Sequence, residues 1–177
     1  MYIRKSDDSE NKDAFAVEAA AFGSDVEASL VKDLLADSSA RPLLSLLAFE
    51  GDNAVGHILF TKVFLEPDVA LSATILAPMA VLSEYQGRGI GGKLIEEGCR
   101  ILAGSGVDLV FVLGYPVYYS RFGFEPAGKL GFDAPYPIPE KDADAWMVKA
   151  LTPGVLRPLK AKVVCADTLM KPEYWRE

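Results

Sequence analysis

Cysteine, histidine and clustered basic charge are what this 177-residue chain has least of. Its two cysteines, Cys99 and Cys165, have neither the number nor the spacing for a disulfide framework, a Cys-x-x-Cys redox pair or a metal site, and a reducing compartment suits them. The 18 lysines and arginines form no run and are outnumbered by 25 aspartates and glutamates, giving a formal net charge of −7. A nucleic-acid partner held through its phosphates is therefore not expected. Acidity favours a cationic or amine substrate, although a soluble surface is the commoner reason for it. No hydrophobic run approaches the roughly 18 residues of a membrane span, and MYIRKSDDSENKDAF has no apolar stretch behind its basic residues. The expectation is a soluble, cytoplasmic protein with no membrane partner.

Internal repeats and low-complexity segments are also missing. Half of the composition is apolar, enough for one substantial core, and the length is too short for two ordinary domains with linkers. One domain over residues 1–177 is expected. The Pro- and acid-rich GFDAPYPIPEKDADA, residues 131–145, reads as a long loop.

The patterning alternates between periods. IRKS reads as a short strand; Ser9 or Asp8 is placed to cap a helix with Phe15, Ala19 and Phe22 on one face. Ser24 and Glu27 have the spacing of a capping box before a second helix carrying Leu30, Leu34 and Leu35. LLSLLAFEGD and NAVGHILFTKVFLE read as two strands turning at Gly51 to Asn53, and LSATILAPMAVL as a third. From about Gly87 to Ala103 the pattern is helical, with Ile90, Leu94, Ile95 and Leu102 on one stripe. DLVFVLG is apolar throughout, as in a strand buried on both faces. Pro116 can open a short helix that Gly123 closes. Extended pieces around 124–129 and 145–151 and an irregular tail complete a mixed α/β (α+β) chain.

The loop QGRGIGGKL, residues 86–94, is compatible with three phosphate-binding signatures. A P-loop would need a hydroxyl after Lys93 and a carboxylate ending the next strand; Leu94 follows Lys93 and Asp108 precedes its strand. A dinucleotide fingerprint would need its first glycine directly after a strand and an acid after the next one; Ser83 to Gln86 intervene, and LVFVLGY offers no acid. The third signature, Gln/Arg-x-x-Gly-x-Gly/Ala, fits Gln86, Gly89 and Gly91. Glycines at 87, 89, 91 and 92 allow close backbone approach, and a helix start offers free N–H groups to a diphosphate. Arg88 and Lys93 can add charge.

Taken whole, APMAVLSEYQGRGIGGKLIEEG resembles the coenzyme-binding motif of the GNAT superfamily of N-acetyltransferases, and DLVFVLGYPVYYSRFGF is similar to the strand, tyrosine-bearing helix and Gly-Phe that follow it. The resemblance covers about residues 1–128; residues 129–177, a loop, a strand and a C-terminal extension, look like a prokaryotic branch of predicted acetyltransferases. It implies a central, mostly antiparallel twisted sheet flanked by helices and splayed where the coenzyme lies. Acetyl-CoA is the implied cosubstrate, with no metal. The implied contacts are Met79, Ala80 and Val81 along the pantetheine arm, and Gln86, Gly87, Arg88, Gly89, Ile90, Gly91, Gly92 and Lys93 at the diphosphate. Pro78, without an N–H, is consistent with an opening of the sheet. A homodimer is common in the superfamily, but no exposed apolar stripe in the sequence shows one.

The implied reaction is acetyl transfer to a small-molecule or peptide amine by direct attack, since no serine or cysteine sits in a nucleophile motif. The alternatives are a larger acyl group, or an acyl-CoA-binding sensor without turnover. Tyr119, four residues before Gly123, matches the family's general-acid tyrosine; a core aromatic beside Tyr118 and Phe122 is its other reading. At pH 7.4 roughly one lysine-like amine in a thousand is neutral, so a proton must be accepted somewhere. Many family members carry a glutamate on the strand before the loop, and LSATILAPMAV has none. His57, Glu84 and water all remain open as that acceptor, with a structural hydrogen bond the equal alternative for His57.

Overall fold

The computed structural model describes residues 1–176. The alternating strand pattern at the centre of the sequence produces β2 (Leu44–Glu50) and the long β3 (Asn53–Glu66), joined by the tight turn at Gly51, whose φ of 58° suits glycine. With β1 (Tyr2–Lys5), β4 (Ala73–Val81), β5 (Leu109–Leu113), β6 (Glu125–Pro126) and β8 (Trp146–Ala150) they form one sheet in the order β1-β2-β3-β4-β5-β8-β6. Within that path only β4 and β5 run parallel; all other neighbours are antiparallel.

The parallel step needs a crossover, which α3 (Ile90–Gly104) supplies. Its stripe of Ile90, Leu94, Ile95 and Leu102 is buried as the periodicity predicts, against Ile58, Phe60 and Val112. Gly98 lets it lie close, because a Cβ there would strike the Phe60 ring. The opposite sheet face is covered by α1 (Asn11–Phe22) and α2 (Val26–Ala36), with Leu34, Leu59, Val63, Phe111 and Trp146 in the core between. The short α4 (Pro116–Ser120) follows β5.

Several local expectations are corrected. Asp7, not Asp8 or Ser9, makes the first cap, on a 3₁₀ turn over Asp8–Glu10 that precedes α1. The buried residues of α1 are Ala14, Val17 and Glu18, one step round from the expected face, while Phe22 is 48 % exposed. Apolar periodicity missed this because a glutamate occupies a core position. Ser24 bonds the Glu27 side chain instead of the backbone, and α2 starts after Asp25 without a side-chain cap. The tail is not wholly irregular: β9 (Ala161–Val164) pairs with the end of β3 and with β7 (Phe132–Asp133). Phe132, Val163, Leu169 and Trp175 thereby enter the same core as Leu34 and Phe111. Cys99 and Cys165 are buried and unpaired. Among the described residues, no helix is long and apolar enough to cross a membrane.

Candidate active site

The sheet opens between β4 and β5. Their parallel ladder runs through Ala73–Leu109, Thr74–Val110 and Ile75–Phe111 and goes no further, whereas β5 stays paired with β8 as far as Leu113 and Trp146. On its other edge β4 remains bound to β3, but the register jumps: Phe60 faces Leu76 while Ile58 faces Met79. Ala77 and Pro78 thus oppose the single residue Leu59, a bulge that turns the last part of β4 away from β5. Proline suits this place, since it has no N–H to leave unpaired.

A cleft of about 810 Å³ begins at this opening. Met79, Ala80 and Val81 form one side of it, and Gln86, Gly87, Gly89, Ile90, Gly91, Gly92 and Lys93 its end. Gly89, at φ 79°, precedes the first turn of α3, and the first intrahelical bond there runs from Lys93 N–H to the Gly89 carbonyl at 3.1 Å. The N–H groups of Ile90, Gly91 and Gly92 therefore lack intrahelical acceptors at the positive end of a 15-residue helix dipole. That end suits a diphosphate by hydrogen bonding and by charge. Gln86 borders the cleft as an exposed residue, and its Nε2 donates to the Val81 carbonyl at 3.0 Å, tying the loop to the end of β4. Arg88 is outside the lining; it lies over the Tyr85 ring and donates to the Glu84 carbonyl.

The opposite wall is aromatic, and the sequence reading missed most of it. Tyr85, Glu96, Tyr118, Arg121 and Phe122 line the cleft together with the glycines. A Cβ on Gly92 would come within 2.8 Å of the Phe122 ring, so glycine here is a matter of space as well as backbone freedom. The signal in the sequence was the spacing of Tyr118, Arg121 and Phe122, one helical turn apart just before Gly123.

Tyr119 sits behind that wall and not in the cleft lining. It is 9 % exposed, edge-on to Tyr118 and Phe124, and its ring lies where a Cβ on Gly114 would be, at the end of β5. Burial, and secondarily the neighbouring Tyr118, push its phenol above the ordinary range, so it stays protonated at any physiological pH. Burial also raises Tyr118, partly countered by Arg121.

Of the groups considered as proton acceptors, Glu84 is exposed on a 3₁₀ turn. His57 is fully buried; Nδ1 lies 2.9 Å from Glu18 Oε1 and Nε2 lies 3.0 Å from Ser45 Oγ. Glu18 was invisible to apolar patterning, and burial raises its carboxyl above the ordinary range against the pull of His57. Among the described residues, no three histidines, cysteines, aspartates or glutamates are grouped as metal ligands would be. The loop over 131–145 borders a separate cavity of about 480 Å³ lined by Phe132, Tyr136 and Lys162, which shares no residue with the cleft. Trp146 is a core residue, 3 % exposed, with Nε1 donating to the Phe132 carbonyl at 3.0 Å.

Comparison with known proteins agrees with this geometry. The family description of an acetyltransferase (GNAT) domain matches residues 2–127. The uncharacterized N-acetyltransferase YjhQ of Escherichia coli K12 is 49 % identical over 164 residues, covering 92 % of this chain and 90 % of its own. Escherichia coli YhbS, also an uncharacterized N-acetyltransferase, is 39 % identical over 107 residues, 60 % of this chain and 62 % of its own. The crystal structure of YhbS in complex with CoA superimposes with a TM-score of 0.87 at 29 % identity, covering 96 % of this chain and 92 % of that one. A GNAT family acetyltransferase from Brucella melitensis in complex with acetyl-CoA gives a TM-score of 0.75 at 29 % identity over 95 % and 97 % of the two chains. The splayed strands, the glycine-bounded helix start and these likenesses place one conclusion beyond the motif alone: the chain belongs to the GNAT acetyltransferase family.

Proposed function

We propose that this enzyme moves an acetyl group from acetyl-CoA to a primary amine by direct attack, with the coenzyme in the cleft between β4 and α3. The observation that carries the reading is the junction of two features in one cleft: backbone along Met79–Val81 freed from β5, and unpaired amides at Ile90–Gly92. The first offers strand-like partners to an extended amide-bearing arm, the second an anion site. The CoA and acetyl-CoA complexes of the YhbS and Brucella proteins support that choice of ligand.

When bound, acetyl-CoA supplies an activated thioester. The chain contributes the rest. A backbone N–H near Met79–Val81 polarises the carbonyl. Lys93 and Arg121, on the cleft rim, add positive charge toward the phosphates. Tyr119, by its place in the family motif, is the proton donor in this reading; its phenol stands behind the cleft wall beside Tyr118, so donation to the departing sulfur requires that it come within hydrogen-bond reach when acetyl-CoA is bound. Arg88 acts from outside, holding the turn at Glu84 and Tyr85.

Calorimetry against CoA, acetyl-CoA, NAD and ATP, followed by a thiol-release assay with acetyl-CoA and a panel of amines, tests the reading. The panel comprises a polyamine, an aminoglycoside, free amino acids and a peptide N-terminus. Heat with the CoA species alone and thiol release with at least one amine are expected. A signal with NAD or ATP and none with CoA would remove the proposal.

A further inference from the structure

Lys149 is a charged residue where the sheet otherwise turns apolar side chains toward α3. In β8, Trp146 and Val148 enter the core beneath α1 and α2, while Met147 enters the one beneath α3. Alternation along the strand puts Lys149 on the same face as Met147. Its charge acts on Cys99 of α3, opposing the burial that raises that thiol. A half-buried ammonium needs acceptors, and among the described residues Lys149 makes no ion pair. Its partner is a main-chain oxygen: Nζ donates to the Phe122 carbonyl at 2.6 Å.

That carbonyl belongs to the segment that builds the aromatic wall of the cleft. The chain leaves the sheet after Gly114, whose N–H meets the Ala145 carbonyl, and pairs again only at Glu125, opposite Val148. Residues 115–124 between them hold α4 and the turn that closes it, where Phe122 N–H and Phe124 N–H both donate to the Tyr119 carbonyl. Among the described residues, the one side-chain hydrogen bond from the sheet into this segment is that of Lys149. The lysine arm passes beside Gly123, 3.6 Å to 3.9 Å from where a Cβ there would lie, and the φ of 88° at that turn suits glycine. A ring stands on either side of Gly123. Phe122 abuts Gly92 in the first turn of α3 and lies 5.3 Å from Tyr118; Phe124 lies 5.6 Å from Tyr119, edge-on. Lys149 itself lines no part of the cleft, so it acts there only through these rings.

We propose that Lys149 is a positioning residue: by holding the Phe122 carbonyl it fixes the turn Phe122–Gly123–Phe124, which sets the Phe122 and Tyr118 rings against α3 and the Phe124 ring against Tyr119. The proposal rests on the coenzyme reading of the cleft above. Phe122 and Tyr118 stand in contact distance of Gly92 and Gly91, so the amides there stay open to a diphosphate only while both rings keep their places. A cation suits the task, because carbonyls just past a helix end lack backbone donors and carry the negative end of its dipole.

The test uses the full chain. Lys149→Met keeps most of the stem and removes the donor, whereas Lys149→Arg keeps a donor. In Lys149→Met, deuterium exchange at the amides of residues 119–124 is expected to quicken several-fold, with β2 and β3 exchanging as in wild type. CoA affinity by calorimetry is expected to fall about tenfold, equally in about 0.05 M and about 0.5 M salt, and to return to within about threefold of wild type in Lys149→Arg. With the amine of the panel that is turned over fastest, KM for acetyl-CoA is expected to rise in step, and kcat to fall about tenfold through the loosened brace on Tyr119. Faster exchange throughout the molecule would make the lysine a stabiliser of the fold only, and overturns the proposal. Unchanged exchange at 119–124 or unchanged CoA affinity also overturns it. So does an affinity loss that vanishes at high salt, which would be long-range attraction, or one that Lys149→Arg does not relieve. A wild type that binds CoA but acetylates no amine sinks the transfer reading alone, because exchange and affinity still decide the role of Lys149.

Discussion

The hydroxyl of Tyr118 stands over Gly91, 2.6 Å from where a Cβ on that glycine would lie. Backbone at the start of α3 and the aromatic wall therefore meet with no space for a side chain between them. Gly91→Ala must push the tyrosine aside, while alanine inside a helix adds about 0.5–1 kcal/mol relative to glycine. Stability should hold or rise, and CoA affinity should fall about tenfold, the worth of one charge-assisted hydrogen bond. Calorimetry with CoA beside a urea midpoint checks both; full affinity in the variant would show that the ligand does not use this amide.

The two adjacent tyrosines separate binding from chemistry. Tyr118 lines the cleft and Tyr119 lies behind it. Tyr119→Phe is expected to lower kcat by about 100-fold with CoA binding nearly intact. Tyr118→Phe is expected to act mainly on the KM for acetyl-CoA. Steady-state kinetics on both variants decide, and the opposite pattern would transfer the donor role to Tyr118.

Asp37 joins the end of α2 to the C-terminal segment. One carboxylate oxygen accepts from Ser39 N–H, the other from Thr168 N–H at 3.0 Å and Thr168 Oγ1 at 2.7 Å. Burial pushes this carboxyl upward, but the bonds from Ser39 and Thr168 outweigh it and hold the group down at about 2. A folded value below the unfolded one, about 3.9, means the unfolded chain binds more protons between them. This stabilisation is therefore present above about pH 4 and is lost as pH falls toward 2. Asp37→Asn should cost about 1–3 kcal/mol at pH 7 and lack that acid-dependent component. Urea unfolding at pH 7 and pH 3 measures it; a pH dependence identical to wild type would place the acid sensitivity elsewhere.

How much of this was legible depended on the range over which each residue acts. The β2–β3 hairpin and the buried stripe of α3 follow from local period and appear as expected, whereas α3 starts at Ile90 and not at about Gly87, because Gly87 and Gly89 take positive φ in the turn before it. β7 and β9 escaped notice because pairs and tetrads of residues carry no periodic signal, and β9 exists only through β3 and β7, far away in the chain. On α1, Phe15, Ala19 and Phe22 made the obvious apolar face, yet the helix turned Glu18 inward because His57 was there to meet it.

The sequence by itself determined the end of the cleft between β4 and α3. An apolar strand, a bulge-prone proline, four glycines in six positions and an amphipathic helix are contiguous, so chain connectivity alone brings the amides of residues 90–92 to the end of β4. Only the tertiary structure decided which tyrosine faces that cleft, where Arg88 points, and that Ser6, Ser45, His57 and Glu18 touch. Those contacts join residues up to 39 positions apart, and such pairings are set by sheet register and helix docking, which no short window of residues encodes.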